Sequence, residues 1–507
     1  MNDRHPVLSL ANGGAAPRSK IPRLPLDAFR SLVVGSTKHG HRVAALFANA
    51  TGETGVELIV VLAADSDGVL EVAATELASS TFPSMTPDCP EVHLFEREIA
   101  EQWGLVPEGH PWLKPVRFSP PLRRRANGAP AIAQTTVGVM DFYRVEGEEA
   151  HEVAVGPVHA GVIEPGHFRF QCHGEQVFHL EISLGYQHRG VERAVIGGPN
   201  KRTIHYFETL AGDTTIGHAT AHCQALEGLA GVRVPGRALA LRAIALELER
   251  LANHTGGLGA LANDVGFLPT ASFCGRLRGD YLNLTAVLCG SRFGRGLVRP
   301  GGTGFDADAA RLAEMLAKLE GAYRDTEQAV RLLWDTPSVM ARFEETGRIE
   351  PGVARQLGLL GVAGRASGLK RDVRKTHPSG YYRFVHIPIS TWTSGDVFAR
   401  AYVRWLEIER SVDFLRTQLR QLPEGPVRVS PGPLRPDHLS VSLVEGWRGE
   451  ICHVGLTDGL GHLAAYKVVD PSFHNWTGLA MALRNQQISD FPLCNKSFNL
   501  SYCGHDL

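Results

Sequence analysis

VFARAYVRWLEIERSVDFLRTQLRQL, residues 397–422, places Val397, Ala401, Trp405, Ile408, Val412, Leu415, Leu419 and Leu422 three and four residues apart, with Pro423 directly behind. Only a helix gathers such positions onto one face, and a proline, lacking an amide hydrogen, ends it. Two other segments carry the same period. Leu241, Ile244, Leu248 and Leu251 follow Pro235 and precede Gly256 and Gly257, which are expected to stop that helix. Leu312, Leu316, Leu319, Tyr323 and Val330 mark a third, from about Asp308 to Trp334. Long helices with one apolar stripe each must bury it against one another, so a helical bundle is predicted as the core of a large domain spanning 131–507, with short strands ahead of the helices.

Toward the N-terminus the period changes. Residues 41–50 and 56–65 are apolar and β-branched around a glycine-containing turn at 51–55, the pattern of a hairpin, and 68–77 continues as strand or helix. A small α+β domain over 26–118 is expected. Residues 1–25, rich in Gly, Ala, Pro and basic groups, are expected to be a flexible N-terminus. Six prolines between Pro107 and Pro130, with the run Arg123, Arg124 and Arg125, break every period, so 119–130 reads as a Pro/Arg-rich linker lying along a surface. Its arginines are either solvated or docked on an acidic partner. The predicted fold class is therefore α+β: a small N-terminal α+β domain, then a mainly helical-bundle domain with short strands.

Composition sets outer limits. With 507 residues, 43% hydrophobic, 21% charged and a formal charge of -1, the chain has the balance of a globular protein and not of a nucleic-acid binder. Its longest apolar run, Val56 to Ala64, falls far short of the roughly 20 residues that cross a bilayer. No secretory leader is expected, so a cytoplasmic location follows, with any membrane contact made through partners. The eight cysteines include no Cys-x-x-Cys, the spacing that presents two thiolates to one metal, and reduced thiols with no metal site are expected.

His151, His159, His167, His173, His179 and His188 crowd one region, but at spacings of six to nine they fall on both faces of a strand and are read as hydrogen-bonding groups rather than ligands. His188-Arg189-Gly190-Val191-Glu192 is more specific. Its glycine allows close backbone approach, and Glu192 in a partly buried cavity can exchange protons near neutral pH if desolvation raises its affinity. The plainer reading is a surface ion pair.

A longer ordered set of segments gives context. It runs Gly156-Pro157-Val158-His159, Glu164-Pro165-Gly166-His167-Phe168, His188 to Glu192, and Val234-Pro235. It continues through Arg365-Ala366-Ser367-Gly368 with Asp372 and Arg374, Gly395-Asp396-Val397 before Arg404, Arg448-Gly449-Glu450, and Pro471-Ser472-Phe473 with Asn475. The set resembles the large subunit of membrane-bound nickel-iron hydrogenases of the formate hydrogenlyase type (group 4, hydrogenase-3 and hydrogenase-4) and its relative, the 49-kDa quinone-site subunit of complex I. Glu96-Arg97-Glu98, Trp103-Gly104-Leu105 and Gly109-His110-Pro111 resemble the 30-kDa complex I subunit that partners it. The resemblance covers almost the whole chain.

In that hydrogenase family two Cys-x-x-Cys pairs hold the nickel-iron centre. The resemblance puts the first pair at Ala211 and Thr214 and the second at Ser501 and Gly504, leaving Cys223, Cys494 and Cys503 as isolated thiols. A nickel-iron centre is therefore not expected. In the complex I relative a histidine and a tyrosine meet the quinone headgroup. Here His159 matches the first histidine of that loop, while the tyrosine position falls at Gly212.

The resemblance further implies that His167, Glu192, Arg365, Asp372, Arg374 and Arg448 line the old cavity. His167, Glu192 and Asp372 would serve proton chemistry, and Arg189, Arg365, Arg374 and Arg448 would hold a negatively charged acceptor or cofactor. A buried ion-pair network kept for packing is the alternative for the same residues. The implied function is that of a subunit of an NADH:quinone oxidoreductase- or hydrogenase-like complex, peripheral on the cytoplasmic face of the inner membrane. It would pass electrons from an iron-sulfur small subunit to a quinone or other acceptor, beside a ferredoxin-like iron-sulfur subunit and ion-translocating membrane subunits, with NAD as a linked cofactor of the assembly. A non-catalytic scaffold in the same kind of complex and an active nickel-iron hydrogenase are the competing readings.

Overall fold

The computed structural model describes residues 5–52, 55–123, 132–159 and 163–507. Arg42–Thr51 and Gly55–Ala64 pair as the expected antiparallel hairpin, and Val69–Leu77 resolves as a third strand beside them. Leu8–Leu10 adds the fourth, along the outer edge of Val69–Leu77. Residues Leu58 to Ala64 are all buried. A strand covered on one face would alternate; this one does not, because both faces of its sheet are covered. Phe29 and Val33 of the Leu26–Lys38 helix belong to the same apolar core as Leu439, Val441 and Val454 of a second sheet, more than 350 residues away in sequence.

That second sheet corrects the expectation for residues 5–25, the first four residues lying outside the described ones. It has the order Leu463–Val469, Glu450–Thr457, His438–Glu445 and, on its edge, Ala15–Pro17. Between the two edge strands, Asn12 donates to the carbonyls of His377 and Leu443 and accepts from the Leu443 amide. The N-terminal segment thus ties one sheet to the other. Strands of three residues are too short to show a period, so composition misled. Of the expected linker, Leu122 and Arg123 both donate from their amides to the Gln102 carbonyl; Arg124, Arg125 and the rest to residue 131 lie outside the described residues.

The bundle consists of Gly236–Asp264, Leu268–Cys289, Ala309–Trp334 and Val397–Arg420. Asp308 and Asp396 cap the last two by accepting from amides three residues on, each at 2.8 Å. Gly256 and Gly257 do not stop the first helix, which runs on to Asp264. A Cβ at Gly256 would lie 2.6 Å from Cδ of Arg278, and one at Gly259 would lie 2.7 Å from Cβ of Cys274. These glycines let Leu268–Cys289 pack closely, a tertiary need that overrides their poor helix propensity. Thr215–Ala230 and Leu268–Cys289 were not legible as stripes; the first is buried nearly all round and has no polar face to set a period.

Candidate functional site

The helix Gly236–Asp264 carries Glu247, Glu249, Arg250 and His254 into the centre of the molecule, all buried. Two of the expected arginines meet it there. Arg374 grips Asp372 at 2.6 Å and Glu247 at 3.1 Å, while Glu247 also accepts from Ser411 and from Tyr382. Arg365 pairs with Glu407 at 2.8 Å and Glu445 at 2.7 Å. Arg250 and His254 close the network on the other oxygen of Glu407, at 3.1 and 2.8 Å. Burial alone would push the Glu407 carboxyl up, but Arg365, His254 and Arg250 together hold it well below the usual carboxylate range. His254, drawn down to about 4 chiefly by burial, is neutral at neutral pH.

Arg448 occupies a different place. Its guanidinium takes both oxygens of Asp213, at 2.6 and 2.8 Å, and also donates to Thr214 Oγ1 and the Asn499 carbonyl. The four positions expected to correspond to thiolates are close by. Thr214 is tied into the Arg448–Asp213 pair; Ser501 Oγ accepts from the Gly504 amide; and a Cβ at Gly504 would lie 2.7 Å from Oδ2 of Asp470. They offer two hydroxyls, a methyl and a hydrogen. Cys503 is the nearest thiol in sequence, and burial followed by the charge of Glu164 pushes it up to about 12. Beside Asp213, Glu249 accepts the amides of Ile216 and Gly217 with no basic partner inside 4.0 Å among the described residues. Burial pushes its carboxyl up to about 8, against the pull of those two amides and with the help of the Asp213 charge.

From this point a chain of rings leads inward. Asp470 meets His218 at 3.0 Å, His218 meets His453 at 3.1 Å, His453 meets the Tyr466 hydroxyl at 3.0 Å, and that hydroxyl meets His222 at 2.9 Å. All five are buried. Sequence reading missed this set, although His218 and His222 stand four apart on one helix, the spacing that puts two side chains on one face.

Glu192 forms the third centre. It follows Gly190, whose φ of 71° lies in the left-handed region that glycine adopts freely. Its carboxylate accepts from the Val468 amide at 2.8 Å and pairs with Lys467 at 3.0 Å; Lys467 in turn reaches Glu98 of the His93–Trp103 helix at 2.7 Å, and Arg117 pairs with the same Glu98. Burial would raise the Glu192 carboxyl, yet Lys467 and Arg117 outweigh it and hold it below its ordinary value. This corrects the expectation that desolvation brings Glu192 toward neutrality. Burial instead draws Lys467 down to about 8, against the pull of Glu192.

The expected common cavity is therefore divided. Arg365, Asp372 and Arg374 belong to the bundle network, Arg448 to the Asp213 pair, and Glu192 to the Lys467 pair. His167 stands apart, its Nδ1 on the Gly156 carbonyl at 3.2 Å and its Nε2 beside Arg169, and shares no hydrogen-bond partner with the others among the described residues. Arg189 donates to the carbonyls of Thr209 and Leu210 and lines an open cavity of about 520 Å³ with Tyr186, His188, Gly212 and Cys503. The other histidines of that region keep separate partners: His159 on the Gly166 carbonyl, His173 on Glu149, His188 on the Asp506 carbonyl.

Comparison with known proteins agrees with this architecture. Residues 264–438 match the family described as the respiratory-chain NADH dehydrogenase 49 Kd subunit. The carbon monoxide-induced hydrogenase of Rhodospirillum rubrum is 31% identical over 352 residues, covering 69% of this chain and 97% of that one. Subunit 4 of the Thermus thermophilus NADH-quinone oxidoreductase is 30% identical over 369 residues, 68% of this chain and 90% of the relative. Formate hydrogenlyase subunit 5 of Escherichia coli is 29% identical over 436 residues, 83% and 76% respectively. The chain belongs to the family of large subunits shared by these hydrogenases and the NADH-quinone oxidoreductases. It is a complex I-related oxidoreductase subunit, and no helix among the described residues is long and apolar enough to cross a membrane.

Proposed function

We propose that the chain serves, without a nickel-iron centre, as the electron- and proton-handling large subunit of a complex I-related assembly, peripheral on the cytoplasmic side of its membrane. Electrons would arrive from an iron-sulfur partner subunit and leave to a quinone or another small acceptor held in the open cavity beside Arg189 and Gly212. The observation that carries the reading is the chemistry at the four thiolate positions. Ala211, Thr214, Ser501 and Gly504 supply no soft ligand, and Arg448 with Asp213 binds the Thr214 hydroxyl there, so this donor set does not fit nickel and iron. Glu192 and Lys467 would form the proton-handling pair, with Glu98 as the second carboxylate on Lys467.

The complex, purified intact, tests this through nickel content, iron-sulfur content and reduction of a short-chain quinone. The expected result is no stoichiometric nickel, with quinone reduction sensitive to Glu192→Gln. That variant should assemble with normal subunit content, lose most turnover and shift the pH profile of what remains, because Lys467 loses one of its two carboxylate partners and keeps only Glu98. One nickel per chain would refute the reading.

A second reading, a non-catalytic scaffold, draws support from the bundle network, whose carboxylates are buried and already matched by arginines. It predicts normal assembly and no acceptor turnover in the unaltered complex.

A further inference from the structure

The buried chain from Asp470 to His222 takes part in none of the steps above, yet its hydrogen bonds fix where its protons stand. Burial would raise the Asp470 carboxyl, but the bond from His218 and the nearby Arg448 hold it below its ordinary value, so it is ionised and can only accept. His218 therefore carries its proton on Nε2. With no extra proton in the chain, His218 Nδ1 accepts from His453 Nε2, which leaves His453 Nδ1 to accept from the Tyr466 hydroxyl. That hydroxyl oxygen in turn accepts from Nδ1 of His222. The rings are neutral in this order, in keeping with burial, which draws His222 to about 3 and His453 far below its ordinary value. Every donor points toward Asp470.

The two ends of the chain differ. At the far end His222 stacks on Phe207 with ring centres 3.9 Å apart, and its Nε2 is the one nitrogen of the three imidazoles without a hydrogen-bond partner among the described residues. At the near end Gly504 leaves a gap. A Cβ there would lie 2.7 Å from Asp470 Oδ2 and 2.9 Å from Ser501 Oγ, so the missing side chain lets both oxygens face one point. Ser501 Oγ stands 3.5 Å from Cys503 Sγ, and the half-buried Cys503 lines the open cavity together with Glu164, Arg189 and Gly212.

We propose that His222, Tyr466, His453, His218 and Asp470 form a one-way proton relay that ends, through Ser501 and Cys503, at the acceptor in that cavity. The inference rests on the functional reading above: a quinone takes up two protons with its two electrons, and the Glu192–Lys467 pair supplies one. A proton bound at His222 Nε2 sends the Nδ1 proton to Tyr466, whose hydroxyl proton passes to His453 Nδ1. The Nε2 proton of His453 then passes to His218 Nδ1, and that on His218 Nε2 to Asp470. From Asp470 a proton replaces that of Ser501, the Ser501 proton replaces that of Cys503, and the thiol proton goes to the reduced acceptor. Each group ends with as many protons as it began with, and the electrons come from the iron-sulfur partner. The rings reset by turning over, since the reversed order leaves ionised Asp470 without a donor.

The test uses the intact complex, reduced with dithionite and then oxidised either by a short-chain quinone or by ferricenium, which takes an electron and no proton. Tyr466→Phe keeps the ring and removes the hydroxyl from the middle of the relay. It is expected to lower the ratio of quinone to ferricenium rates several-fold, and added imidazole, which carries a proton into the open cavity, should restore part of the loss. Separately, 15N NMR of the unaltered full chain with labelled histidines should find His222 protonated on Nδ1 and His218 and His453 on Nε2. If Tyr466→Phe fails to assemble, these tautomers decide. The relay alone is overturned if His222 carries its proton on Nε2, if the variant leaves quinone reduction unchanged or slows both acceptors alike, or if imidazole restores nothing. An unaltered complex without quinone reduction overturns the functional reading and the relay with it.

Discussion

Glu249→Gln isolates the most displaced carboxyl near the Arg448–Asp213 pair. The side chain accepts two helix N-terminal amides, at 2.7 and 3.2 Å, and its carboxyl moves from an ordinary 4.5 to about 8. An acid whose folded value lies above its unfolded value holds its proton more tightly when folded. Its contribution is therefore complete below the unfolded value and is lost as pH rises toward the folded one. At about 1.4 kcal/mol per pH unit, the loss between about pH 5 and pH 8 reaches about 3–4 kcal/mol as an upper figure. Glutamine cannot ionise, so this dependence disappears in the variant; its NH2 group cannot accept from an amide, so it also forfeits one of the two bonds, a pH-independent cost of about 1–3 kcal/mol. Urea unfolding of both proteins at several pH values in that range reads it directly. The variant is expected to be the less stable of the two near pH 5, by that pH-independent cost, and to gain on the parent by about 3–4 kcal/mol as pH rises to about 8. Parallel profiles would show that Glu249 is ionised throughout and that its two amides outweigh its burial.

Glu407→Gln strips the shared partner from Arg365, Arg250 and His254, and unfolding should record a loss of about 3–5 kcal/mol; a loss below about 1 kcal/mol would mean that Glu247 and Glu445 suffice. Gly259→Ala sets helix propensity against a Cβ 2.7 Å from that of Cys274, and overpacking of about 1–3 kcal/mol should outweigh the gain, so a higher melting temperature would contradict the packing argument. Asp213→Asn, at a site whose side chain is about a third exposed, should change the melting temperature little yet alter acceptor turnover by freeing the Arg448 guanidinium; unchanged kinetics would remove that pair from the reaction.

Much of the fold was legible because amphipathic helices and a hairpin leave periods in sequence. Val397 to Leu419, the Ala309–Trp334 helix and the Arg42–Ala64 hairpin all lie where the spacing placed them. Thr215–Ala230 left no such trace, because a helix surrounded by protein has no solvated side. For the site, segment order singled out residues of unlike surroundings, Arg365, Asp372, Arg374 and Arg448 buried and Arg189 exposed, and it could not distribute them. Arg365 and Arg448 look alike in sequence; one finds Glu407 and Glu445, the other Asp213, and those partners lie 40 to more than 200 residues away. The Glu192 environment failed for the same reason, since Lys467 and Arg117 reach it only through the tertiary fold.

The stitching of residues 8–17 between two sheets has a consequence for biogenesis. Leu8–Leu10 can join its sheet as soon as residues 69–77 have left the ribosome, but Ala15–Pro17 must wait for residues 438–440. At the translation rates of cells, about 5–20 residues per second, that wait lasts tens of seconds or more. During it the apolar face that later meets Leu439 and Val441 stays uncovered beside an unpaired strand edge, the circumstance in which nascent chains aggregate or recruit chaperones. A bulky fusion placed directly ahead of residue 8 would sit at this unfinished seam, so the yield of folded protein should depend on the length of the spacer that follows the fusion.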